Sequence, residues 1–198
     1  MNKIILQIYL LSALIFSFSC SGNKSTEKTT ENISTYYSLG KEVSAIAQGT
    51  LIQNLSKAIE AGGPSYAVEF CNLKAMELID SISISNKCVV SRVTDLNRNP
   101  GNFISSEEDK SIWNYYKNEA SEKAAHDTVV ETPESIVYFK PIKIGMPTCL
   151  KCHGEPGVDI DQNTLSVIDS LYPKDLARNY KSGDLRGLWK IEFLNSVQ

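Results

Sequence analysis

Ser135-Ile136-Val137-Tyr138-Phe139-Lys140-Pro141-Ile142-Lys143-Ile144 reads as a β-strand. The stretch is rich in β-branched and aromatic residues and alternates around Ile136, Tyr138, Pro141 and Ile144. Pro141 brings no N–H to a ladder, which places it at a sheet edge or a strand end. Thr128 to Val130 forms a short strand just before it, and Leu185 to Leu194 forms the last strand of the chain. Upstream, Lys87 to Val93 is short and β-branched, and Asn97-Arg98-Asn99-Pro100-Gly101-Asn102 is a concentrated turn signal after it.

The remaining periodicity is helical. Leu39, Val43, Ile46, Ala47, Leu51, Leu55 and Ile59 recur at helical spacing between Ser34 and Ala61, and Gly62-Gly63-Pro64 ends the run. A second helix runs from Pro64 through Ala67, Phe70, Cys71, Ala75, Leu78 and Ile79. Ser105 to Ala125 predicts a third, with Ser105 and Glu108 in the form of a capping box. Gln162 to Ser170 predicts a fourth. Helices grouped ahead of a small, mainly antiparallel sheet define an α+β domain.

The N-terminus predicts export. Lys3 precedes an apolar stretch from Ile4 to Phe18 that is too short to span a bilayer comfortably, as in a signal peptide over residues 1–19. Phe16-Ser17-Phe18-Ser19-Cys20 has the form of a lipoprotein signal, so Cys20 is expected to carry lipid and to anchor the mature chain to a membrane. Residues 20–33 are rich in Ser, Thr, Lys and Glu and read as a flexible tether, which leaves one domain over 34–198. The net charge of −3 over 198 residues, without any basic run, argues against a nucleic-acid partner.

Cys149-Leu150-Lys151-Cys152-His153 carries the chemistry. Two thiols at this spacing reach the two vinyl groups of one haem, and the adjacent imidazole reaches its iron, so the pattern predicts one covalently attached haem c. Structural zinc lacks a second C-x-x-C or a paired His, and a thioredoxin-like pair does not fit a motif this late in the chain. The opposite face of the iron has four candidates: Met76, His126, Cys71 and Cys88. Ala67, Cys71 and Ala75 share one helical stripe, and such small residues let a flat macrocycle approach closely. Iron ligand, disulfide partner of Cys88 and inert core residue are three open readings of Cys71. Arg92 and Arg98 are candidates to meet haem propionates, because a guanidinium fork suits a carboxylate, and Arg186 and Tyr138 are candidates from later strands. Trp113 and Trp189 read as packing.

Several segments in order carry a resemblance: Ala67-Val68-Glu69-Phe70-Cys71 with Ala75, Ser91-Arg92-Val93-Thr94, Arg98 to Asn102, Tyr138-Phe139-Lys140-Pro141-Ile142, the haem motif, Tyr172-Pro173, and Tyr180 to Gly187. With these the chain resembles a family of single-haem c-type cytochromes with a PAS-like fold and Cys/His axial ligation. The resemblance implies Cys71 as the second iron ligand, and an antiparallel PAS-like sheet with the haem between it and the long N-terminal helices. Ser91 departs from it, since members usually carry Gly before the Arg.

A thiolate opposite an imidazole favours ferric iron and a low reduction potential. Electron transfer with a separate redox partner protein is the first expectation, and no enzyme activity is expected. The alternative is a gas or redox sensor in which Cys71 is displaced and a partner relays the signal. The long first helix could also pair with a second copy of the chain.

Overall fold

The computed structural model describes residues 24–119 and 126–194. The elements run α1 (Lys24–Asn86), β1 (Val89–Val93), a 3-10 turn (Pro100–Asn102), α2 (Glu107–Glu119), β2 (Thr128–Glu131), β3 (Ser135–Lys143), α3 (Pro147–His153), α4 (Gln162–Leu171) and β4 (Leu185–Leu194). All strand pairs are antiparallel, in the order β1-β4-β3-β2. The α+β class and the antiparallel sheet stand as the sequence predicts.

α1 is two helices in one run. Gly62 and Gly63 leave helical geometry, and Gly63 has φ +77°, a left-handed value that glycine tolerates without strain. Pro64 then opens the second half. The break falls where the sequence places it, but the helix starts earlier than expected. Residues 24–33, read as tether from their composition, continue α1 toward the N-terminus, because extending an existing helix costs far less than nucleating one. Cys20 and the signal segment lie outside the described residues. Among the described residues, no helix is long and apolar enough to cross a membrane.

The sheet buries both faces, following the two-residue period of its strands. Val43, Ala47, Ile79 and Ile82 of α1 pack on Val90, Tyr138, Trp189, Ile191 and Phe193. On the other face, Trp113 and Tyr116 of α2 pack on Val93, Val137, Phe139 and Leu188. Gly40 permits the first contact: a Cβ there would sit 2.2 Å from the Tyr138 ring, so only a residue without a side chain lets α1 lie this close.

Two local expectations shift. The α2 cap is Ser106, whose Oγ accepts from the Asp109 N–H at 3.0 Å, one residue on from the predicted Ser105 and Glu108 pair. The same Ser-x-x-acid pattern repeats there, and this register lets the Asp109 carboxylate meet Lys190 of β4 at 2.9 Å. Pro141 lies near the end of β3, one of its two predicted placements, in a strand that is interior to the sheet rather than at its edge. β2 pairs β3 only as far as Phe139, so the side of β3 that Pro141 presents outward has no ladder to interrupt.

Candidate functional site

The motif forms α3, a short helix opened by Pro147, which suits a first helical position. Helical spacing puts Cys149, Cys152 and His153 on neighbouring positions of one face. Cys149 packs beside Ile144, Ala177 and Tyr180, and Cys152 beside Val68, Ile160 and Ile168. All three line a cavity of about 410 Å³ bounded by α1, α3 and the ends of β1, β3 and β4. A shallower hollow of about 300 Å³ near α2 contains none of the motif residues.

The Ala67, Cys71 and Ala75 stripe of α1 faces this same cavity. Cys71 and Cys88 are not joined: Cys88 belongs to the core under α1, while Cys71 borders the cavity. Burial pushes the Cys71 thiol up, against the opposing charges of Arg92 and Arg98. Burial also pushes Cys152 up, to about 11. Met76 lines the cavity too, whereas His126 is exposed elsewhere.

His153 is oriented by its backbone neighbour. Its Nδ1 lies 2.9 Å from the Ala177 carbonyl oxygen. A carbonyl only accepts, so Nδ1 carries the proton and Nε2 keeps its lone pair for a metal. Burial, then the charges of Arg186 and Arg98, hold this imidazole well below its usual pKa and so neutral.

The three arginines differ in their company. Arg98 is committed inside the protein. Its Nε and Nη2 donate to the two oxygens of Asp175 at 3.0 and 3.1 Å, and Nη2 also donates to the carbonyls of Cys152 (2.6 Å) and Ala177 (3.3 Å). Arg92 borders the cavity with its guanidinium 5.8 Å from the centre of the Trp189 ring. Among the described residues it has no hydrogen bond and no carboxylate partner, and burial draws its pKa down. Arg186 donates to the Leu96 carbonyl at 3.2 Å and lies over Tyr180, but its Nε is buried without a partner. Trp189 Nε1 is likewise buried and unpartnered. Cations without anions and donors without acceptors, beside an apolar cavity, are the donor set for a flat apolar ligand that carries carboxylates. The residues therefore fit a haem.

Tyr138 alternates in β3 as its pattern predicts, but instead of meeting a propionate its side chain points into the core beneath α1, and its hydroxyl donates to Asp127 at 2.5 Å. It lies outside the residues that line the cavity. Trp189 packs as predicted, though its unpartnered N–H beside the cavity was missed. Asp175 and Ala177 were missed as well. A lone Asp after Pro173-Lys174 reads only as a turn, and nothing local ties it to Arg98.

No curated protein matches this chain. A crystal structure of the cyanobacterial heme-protein Tll0287 matches with a TM-score of 0.56 and 23% identity, over 80% of this chain and 98% of that one. At that identity the likeness speaks to the fold. The family model described as Tll0287-like matches residues 21–193. That span takes in α1, every strand and the motif helix, and it bears out the family resemblance drawn from the sequence segments: the chain belongs to the Tll0287-like family.

Proposed function

We propose that this protein holds one haem c, attached through thioethers at Cys149 and Cys152 and ligated by His153 and Cys71, and that it moves electrons outside the cytoplasm. The observation that carries this reading is a single cavity lined by the whole motif and, from a separate helix, by Cys71. When bound, the haem supplies an iron that cycles between ferric and ferrous states. His153 offers Nε2, because Ala177 holds the proton on Nδ1. Cys71, a buried thiol before haem binds, would give up its proton to solvent on meeting the iron and offer a thiolate, whose charge would favour ferric iron and a low potential. Arg92, Arg186 and Trp189 would receive the propionates, which would give their unpartnered donors acceptors. With His153 on α3 and Cys71 on α1 both available to hold the haem, electron transfer would need no ligand to move. Lipid on Cys20 holds the domain at a membrane surface, where a separate redox protein docks.

Visible absorption and low-temperature EPR of the haem-matured ferric protein test this against its Cys71→Ala variant. A low-spin thiolate signal that vanishes in the variant supports the reading, and identical spectra overturn the thiolate. A second reading, sensing, draws on Met76, which lines the same cavity and offers a thioether if Cys71 lets go. Fast binding of carbon monoxide to the reduced protein favours sensing, and refusal favours electron transfer.

A further inference from the structure

We infer that Asp175 is a positioning residue for the His153 ligand, acting through Arg98 and the Ala177 carbonyl. The inference rests on the haem reading and adds to it a control over the iron's potential.

The Asp175 side chain has no solvent exposure and four donors converge on it. Arg98 contributes its Nε and Nη2, Arg178 its Nε at 2.6 Å, and the Ala177 backbone its N–H at 3.0 Å. The same carboxylate thus fixes the peptide on one side of Ala177 and the arginine that reaches the other side. There the Ala177 carbonyl accepts twice, from His153 Nδ1 at 2.9 Å and from Arg98 Nη2 at 3.3 Å. Arg98 also holds the Cys152 carbonyl, which pins the motif helix to this loop. Beyond Arg178 the chain of charges ends at Asp169, which is 58% exposed.

Two consequences follow for the imidazole. The Nδ1–H bond governs how much electron density His153 gives the iron, and a carbonyl shared with a cation draws less on that proton. The negative charge of Asp175 offsets two guanidinium groups near the ligand. Removing the anion should destabilise ferric iron. Removing the cation at Arg98 should favour ferric iron, both by its charge and by leaving the Ala177 carbonyl to His153 alone.

The test uses the full-length haem-loaded protein, with a redox titration and the hyperfine-shifted His153 ring N–H proton in NMR as readouts. Asp175→Asn should raise the midpoint potential and Arg98→Gln should lower it. Arg98→Lys, which keeps the charge and loses the fork, should move the ring N–H signal and lower the potential less than Arg98→Gln does. Opposite signs for the two charge changes are what a merely structural role would not produce. Shifts of the same sign, or an unmoved ring signal in every variant, overturn the inference. If Asp175→Asn does not mature, Arg98→Lys decides: an unmoved ring N–H signal overturns the proposal and a moved one supports it. A wild-type pyridine haemochrome spectrum without a thioether-linked haem sinks the haem reading itself, and is read before any variant.

Discussion

The arginines on the cavity wall fall into two electrically different groups. Arg98 is neutralised by a fully buried Asp175 and its donors are spent on protein oxygens. Arg92 and Arg186 have no carboxylate in a salt bridge among the described residues, and the buried N–H groups of Arg186 Nε and Trp189 Nε1 beside them are left over. The first group is finished as the chain folds, while the second is finished only when something anionic arrives. Both arginine environments border one pocket, so a cation near a cofactor site is not by itself a cofactor contact. What the cation already holds decides its role.

That contrast can be broken at several points. Asp175→Ala is expected to have the largest effect, about 3–5 kcal/mol of stability, because it strands a buried guanidinium. Urea unfolding followed by circular dichroism measures it, and a loss under about 1 kcal/mol would mean that the pair contributes little.

Acid is the next lever. The unfolded His153 takes a proton near pH 6.5, whereas the folded imidazole resists it through burial and the nearby arginines. In the haem-free chain, where no iron competes for the ring, stability is therefore full above about pH 6.5 and falls by up to about 1.4 kcal/mol per pH unit below it, until the folded pKa is passed. His153→Gln should abolish that slope in urea midpoints taken at pH 7.5 and 5.5. Asp175 adds a separate loss at lower pH. Burial opposes its charge, but the hydrogen bonds and charges of Arg98 and Arg178 outweigh burial and depress its pKa. Its stabilisation is present above the usual carboxylate range and disappears as pH falls through the depressed value.

In the unpaired group, Arg92→Met should change the stability of the haem-free chain by less than about 1 kcal/mol, since no partner is stranded. In the haem-loaded protein the same variant should lower the midpoint potential. Asp169→Asn, at the exposed tip of the charge chain, should cost less than about 0.5 kcal/mol by the same urea measurement. A larger cost would extend the paired group out to the surface.

Much of this arrangement was legible in the sequence because it is local. The break at Gly62-Gly63, the Ala67, Cys71 and Ala75 stripe, the strands and the C-x-x-C-H motif each follow from neighbouring residues, whereas the helix that the motif forms was seen only in the fold. What escaped depends on distant ones. Arg98 and Asp175 come from opposite sides of the motif, and no turn pattern pairs them. Tyr138 alternates as a sheet residue should, but its face was settled only by the helix lying on it. The cap at Ser106 competed with an equally good one a residue earlier, and the choice was made by Lys190 on a strand at the end of the chain.

Gly40 acts as an index notch. The Tyr138 ring occupies the space where a side chain would be, which stops α1 from either sliding or rolling on the sheet. Each residue of a helix turns the chain by about 100°. The count of residues from Gly40 to Gly62 therefore sets the direction in which the second half of the helix leaves the kink. One inserted residue in that interval, far from any cysteine, would swing Cys71 away from the cavity while leaving every residue around the motif unchanged.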